Sequence, residues 1–256
     1  MSAPGRLPGR LLLAGVLAGA GTPAFATDWQ AEAGAGRETL SGGRAAWTQV
    51  DAALYHQFSE AIRIGLQARR TERFGFADSE LGASLGARLD ADWSAGFNAA
   101  ASGTHQILPR WSLGGEVQRR LGDGWVLGAG LRHTRYDQDN ASALSIAVER
   151  YIGAWRLAAT ATQTRLQGAS GAAAGRLQAD RYFLGERAKL GLIVASGREL
   201  DNLGAGTILV SNVESFALVG QWPLAAGWAV HWDVGAHRRG SLYRRSGGRL
   251  GVRLDW

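Results

Sequence analysis

Residues 121–131 read LGDGWVLGAGL, and the pattern changes character at Trp125. Before it, Gly122, Asp123 and Gly124 are residues that tolerate the left-handed backbone of a tight hairpin turn. After it, Leu127, Ala129 and Leu131 alternate with Gly128 and Gly130, the period of two of a β-strand with one apolar face. A Trp directly after a turn recurs at Trp93, Trp125 and Trp155, at intervals of 32 and 30 residues, and again at Trp228. An indole at the foot of each rising strand suits a bilayer boundary, where its rings enter hydrocarbon and its N–H keeps polar company. The expected girdle comprises Trp29, Trp93, Trp125, Trp155, Trp228 and, at the end of the last strand, Trp256.

The same alternation extends in both directions. In AIRIGLQAR, Ile62, Ile64, Leu66 and Ala68 oppose Arg63, Gly65, Gln67 and Arg69; in LGASLGARL, the apolar set from Leu81 to Leu89 opposes Gly82, Ser84, Gly86 and Arg88. Strands are predicted near 28–36, 46–57, 61–71, 80–89, 93–102, 110–121, 125–136, 142–151, 154–165, 174–183, 188–198, 212–222, 228–238 and 244–256. Their connections alternate between tight turns, such as FSE, DAD and GDG, and longer polar stretches, such as RETLSGGRA, TERFGFADS and the run from Glu199 to Ser211. That asymmetry fits an all-β, antiparallel up-and-down transmembrane β-barrel of about 14 strands, with both termini on the periplasmic side. Twelve strands would result if 28–36 and 174–183 were not strands. A soluble β-sandwich also alternates, but its water-facing side would be rich in Lys and Glu, whereas the chain has one lysine, Lys189.

The first 26 residues place Arg6 and Arg10 before the apolar run LLLAGVLAGAG and an A-x-A pattern at Ala24 and Ala26. This reads as a secretory signal peptide, because the run falls well short of the roughly 20 residues that a spanning helix needs. Two domains of processing follow: 1–26 signal peptide and 27–256 barrel, with the outer membrane of a Gram-negative bacterium as the expected location after cleavage near Ala26. Loss of the two signal arginines lowers the formal charge from +6 to +4. The absence of cysteine excludes disulfides, thiolate chemistry and Cys-based metal sites.

The final strand, RLGVRLDW, alternates Leu250, Val252, Leu254 and Trp256 against Arg249, Gly251, Arg253 and Asp255. An aromatic last residue on such a strand resembles the signal by which outer-membrane barrels reach their assembly machinery, the first partner expected. The stretch from Arg181 to Trp256 contains a Tyr-aromatic-Leu-Gly turn at Tyr182–Gly185 and a Gly-Arg-Glu strand end at Gly197–Glu199. A Trp-led strand from Trp228, a Gly-x-x-Tyr-x-Arg approach at Gly240–Arg245 and a last L-G-x-R strand follow. Together these resemble the YaiO-type outer-membrane β-barrel family. The resemblance implies a barrel without established enzymatic activity, in a family associated with cell-surface polysaccharide export, so polysaccharide is a candidate partner.

With the apolar set facing lipid, the opposite set faces the lumen. There Arg63, Arg69, Arg88, Arg120, Arg132, Arg156, Lys189, Arg249 and Arg253 meet Glu32, Asp51, Glu80, Glu116, Glu149, Asp180, Asp233 and Asp255, nine cations against eight anions. Near-balance predicts cross-strand pairing more than a filter of one sign. The candidate pore lining is Arg63, Arg88, Glu116, Arg132, Glu149, Arg156, Asp180, His231, Asp233, Arg249 and Arg253. His231, Asp233 and His237 share one strand face, but neither a positioned nucleophile nor a hydrolase or metalloprotease signature accompanies them, so no catalytic residues, metal or cofactor are expected. Arginines cluster in the predicted outer loops at Arg69, Arg70 and Arg73, and at Arg238, Arg239, Arg244 and Arg245, where lipopolysaccharide phosphates are the expected contact. Nucleic acid is not an expected partner of an exported barrel.

Overall fold

A computed structural model describes residues 28–167, 171–202 and 208–256; the predicted signal segment lies outside the described residues. Fourteen antiparallel strands form one closed barrel in which every strand pairs with its sequence neighbours. The strands are β1 (Trp29–Leu40), β2 (Trp47–Gln57), β3 (Ile62–Arg73), β4 (Phe76–Arg88), β5 (Trp93–Ser102), β6 (Trp111–Gly122) and β7 (Trp125–Arg135). They continue as β8 (Asn140–Ile152), β9 (Trp155–Leu166), β10 (Ala172–Phe183), β11 (Ala188–Asn202), β12 (Ile208–Ala225), β13 (Trp228–Arg239) and β14 (Tyr243–Asp255). Closure is made by β1 against β14, in register from Gln30↔Asp255 to Leu40↔Arg245. Closure removes both sheet edges, so backbone N–H and C=O groups are paired strand to strand, as a span through hydrocarbon requires. Both strands whose omission would have left twelve are present, as β1 and β10.

Side-chain parity follows the sequence. Leu81 and Leu131, 71% and 68% exposed, stand on the outer face, while Asp180 on the inner face is fully buried. This is the inverse of a water-soluble protein and matches an apolar wall around a polar interior. No helix among the described residues is long and apolar enough to cross a membrane.

The turn in LGDGWVLGAGL is a two-residue hairpin at Asp123–Gly124, with φ of 47° and 77° at these two residues. Two successive left-handed residues give the twist that a two-residue hairpin needs, and a Cβ at Gly124 would collide with the Tyr151 carbonyl oxygen.

The opposite end differs from expectation. The stretch TERFGFADS is not a long loop: β3 and β4 continue through it to a two-residue turn at Phe74–Gly75, both left-handed. Likewise β1 runs on to Leu40 and β12 begins at Ile208. Polar side chains disguise these strand extensions, because beyond the apolar band neither face needs to be apolar.

Candidate functional site

The inner wall is built from long polar side chains laid over neighbouring glycines. Glu116 lies against Gly96, with its Cγ 3.1 Å from where a Cβ would stand, and Asn98 lies against Gly114 at 2.8 Å. The Arg249 guanidinium covers Gly34 at 2.8 Å. A glycine one strand over thus lets each polar chain lie along the wall instead of projecting toward the axis.

Charge is neutralised in groups. Arg156 binds Glu149 through Nε and Nη2 at 2.9 and 2.6 Å and Asp180 through Nη1 at 2.8 Å. Gln178 also donates to Asp180, and the Tyr151 hydroxyl donates to Glu149 at 3.1 Å. These residues come from β8, β9 and β10, brought together by the pairs Tyr151↔Arg156 and Asp180↔Arg156. A second group joins Arg249 of β14 to Asp51 of β2 across β1, a third joins Arg69 of β3 to Glu80 of β4 at 2.7 Å, and Arg253 bonds Asp255 at 2.9 Å. Arg156–Glu149 and Arg249–Asp51 are bidentate, each guanidinium meeting both carboxylate oxygens, which makes them the strong members of their class.

Ten of the eleven predicted lining residues stand on the lumenal wall within these strands; Arg132 there donates to Asn98 at 3.0 Å and Arg63 to Gln30. Arg88 shares their parity but ends β4 and is exposed at the rim. His231 and Asp233 line a small recess with Lys189, Gln221 and Arg249. Neither they nor His237 join a cluster of metal-ligating residues among the described residues.

The arginines expected at the lipopolysaccharide-facing rim divide by parity. Arg70, Arg238 and Arg244 face outward and are exposed. Arg69, Arg73, Arg239 and Arg245 face inward, as the strand parity already implied for Arg69; for the other three this corrects the rim placement, because β3, β13 and β14 run through these positions and send alternate arginines into the barrel. Arg239 is 5% exposed and donates to Ser211 at 3.0 Å; Arg245 binds Glu38 at 2.7 Å. All six tryptophans of the expected girdle stand exposed on the outer face, and Trp29 stacks beside Trp256.

The mouth opposite the termini holds two features that the sequence reading missed. Trp47, Tyr243 and Leu40 form a buried cluster on the inner wall, with Phe74 and Leu242 packed on it. The guanidinium groups of Arg73 and Arg245 lie 4.6 and 4.7 Å from the Trp47 ring centre, a paired cation–π contact. Two strands further round the same mouth, the β5–β6 connection (103–110) folds inward. Asp78 of β4 accepts hydrogen bonds from the amides of Ile107 and Leu108 at 2.7 and 2.8 Å and from the Thr104 hydroxyl at 2.5 Å. Ile107 and Leu108 are 3% and 4% exposed, and His105 reaches Asp137 in the next loop at 3.2 Å. The signal for both was available: Trp47 has the inward parity of Asp51, and Ile107-Leu108 is an apolar pair inside a polar connection.

Residues 29–202 match the family described as the YaiO membrane beta barrel domain. The match takes in the Tyr182–Glu199 motifs and ends before Trp228. Among solved structures, the chain is similar in fold to a bacterial polysaccharide outer-membrane secretin, with a TM-score of 0.55 at 7% identity over 89% of this chain and 98% of that one. It is similar to an anion-selective porin from Comamonas acidovorans, with a TM-score of 0.50 at 10% identity over 89% and 98%. It is also similar to the translocator domain of the autotransporter NalP from Neisseria meningitidis, with a TM-score of 0.50 at 11% identity over 91% and 90%. No curated protein matches.

Proposed function

The chain belongs to the YaiO membrane β-barrel family, and from that premise we propose that it is an outer-membrane pore for a polar solute, with cell-surface polysaccharide as the cargo. The observation that supports this reading is the inner wall, where Arg156, Arg249 and Arg69 are held flat by carboxylates and Glu116 and Asn98 lie over glycines. Such a wall offers hydrogen-bonding groups of both signs and no dominant charge, which suits a neutral or weakly anionic sugar chain better than a small ion. The short turns and both termini face the periplasm in this reading, and the last strand, ending in Trp256, is offered to the assembly machinery. Arg70, Arg238 and Arg244 would then meet lipopolysaccharide phosphates at the outer rim.

The test is ion conductance in planar bilayers. A pore predicts steady single-channel current and, in Arg132→Glu, a reversal potential shifted toward cation preference. Folded protein that passes no current would overturn it. A second reading, a barrel closed at the mouth that binds ligands at the surface, is favoured by the Trp47 cluster and by the inward fold of 103–110. It predicts current only after Trp47 or Asp78 is replaced.

A further inference from the structure

Three aromatic–cationic pairs repeat along the outer wall at the end where the termini lie. Trp93 opposes Arg119, Trp125 opposes Arg150 and Trp155 opposes Arg181, each as direct cross-strand partners. In each pair the guanidinium lies over the indole, 5.3, 4.9 and 5.5 Å from the ring centre. Every Trp opens an odd-numbered strand and every Arg closes the even-numbered strand beside it, so the motif occupies the continuous sector β5–β10. None of the three arginines forms an ion pair among the described residues. Arg150 donates to the Asp123 carbonyl, a neutral acceptor that leaves its charge uncompensated. Asp90 lies within electrostatic reach of Arg119, but its carboxylate is engaged by the amides of Trp93 and Asp92, which hold its pKa below the usual carboxylate range.

Among the described residues the rest of the same rim lacks the motif. Trp29 opposes His56, Ile62 opposes Ala87, Phe183 opposes Ala188 and Trp228 opposes Leu254. Among the described residues, these outward cation–indole pairs are therefore confined to one side of this end.

We propose that Arg119, Arg150 and Arg181 are binding sites for the phosphate groups of phospholipids, with the partner Trp seating each lipid at the hydrocarbon boundary. An outward cation directly beside an interfacial indole lies at headgroup height, and a guanidinium forms paired charge-assisted hydrogen bonds with a phosphate. The indole holds that fork in place by stacking and thereby lowers the entropy lost on binding. The arginines are separated by two strands, roughly 9 to 10 Å across the hydrogen-bonded direction before tilt, so each meets its own headgroup. Single cations at this spacing fit single-phosphate lipids; a head with several phosphates would draw clustered cations. The sector would order a one-sided annulus of phospholipid around β5–β10, whether or not the lumen conducts.

The test is lipid retention by the purified full-length protein in detergent, read by native mass spectrometry after equilibration with phosphatidylglycerol, with lipid A or with inorganic phosphate. The triple variant R119M/R150M/R181M keeps the long side chains over the indoles but removes the charge. A second triple variant, R70M/R238M/R244M, removes the same charge from the outer wall at the other end. The proposal expects up to three retained phosphatidylglycerol molecules, a fall of at least tenfold in the first variant and little change in the second. Equal loss in both variants, or in neither, would overturn it, as would preferential retention of lipid A or displacement by equimolar inorganic phosphate. Arg→Lys at the three positions guards against misfolding: it keeps charge and fold, and intermediate retention is expected because the planar fork is lost.

Discussion

At the short-turn end Trp93, Trp125 and Trp155 stand on the outer wall, 39% to 45% exposed, whereas at the opposite end Trp47 and Tyr243 stand on the inner wall, 3% and 5% exposed. Arginine stacks on the indole at both ends, from Arg119, Arg150 and Arg181 outside and from Arg73 and Arg245 inside. The same pair of residue types thus stands on the outer wall at one end and inside the mouth at the other. Strand parity alone separates the two uses, since moving a side chain by one residue transfers it across the wall.

The comparison breaks most sharply at the inner wall between the two ends. Replacing Arg156 by Met leaves Glu149 and buried Asp180 facing each other without their cation, and a loss of roughly 3 to 5 kcal/mol is expected. Urea unfolding in lipid vesicles measures it; a loss below about 1 kcal/mol would mean that lumenal water screens the carboxylates effectively. Trp47→Ala empties the centre of the mouth cluster and is expected to cost about 3 kcal/mol. It should also raise single-channel conductance, which an outward Trp would not affect.

Asp78→Ala removes the acceptor for two buried amides and one hydroxyl, with an expected loss of about 2 kcal/mol. Its particular signature is cleavage at 103–110 by added protease, with the rest of the barrel resistant. Trp125→Ala at the girdle should cost only about 1 to 2 kcal/mol, because roughly half of the indole stays in contact with lipid or headgroups in any case. If Trp125→Ala proved costlier than Trp47→Ala, the division into boundary and mouth tryptophans would be reversed. Arg238→Met breaks an exposed pair with Glu214 and should shift stability by less than about 0.5 kcal/mol.

Much of the wall was legible from the chain because its information is local. Leu127, Gly128, Ala129, Gly130 and Leu131 declare two faces without reference to any other strand, and the same holds for Ile62 to Arg69. The pairings at Arg249–Asp51 and Arg156–Asp180 were not legible. They depend on register across strands that are 198 and 24 residues apart in sequence, and nothing local encodes which residue lies opposite. The stretch Thr71–Ser79 was misread as a loop, and the strands on either side of Gly240 were ended one residue short at Arg238 and Arg244, because polar composition imitates a loop once a strand leaves hydrocarbon. Their arginines were accordingly placed together at the rim, whereas the extended backbone sends alternate ones inside.

Sequence alone determined that this is a barrel, that a row of tryptophans stands on its outer face at the short-turn end, and which side chains share a face. Alternation, turn residues and the placement of Trp are properties of neighbours along the chain, and hydrocarbon enforces them directly. The tertiary structure decided which charges neutralise one another, that Trp47 and the 103–110 connection fold into one mouth, and that the outer arginines meet tryptophans along six of the fourteen strands. Those outcomes depend on closure and strand register, which bring together residues that the chain keeps far apart.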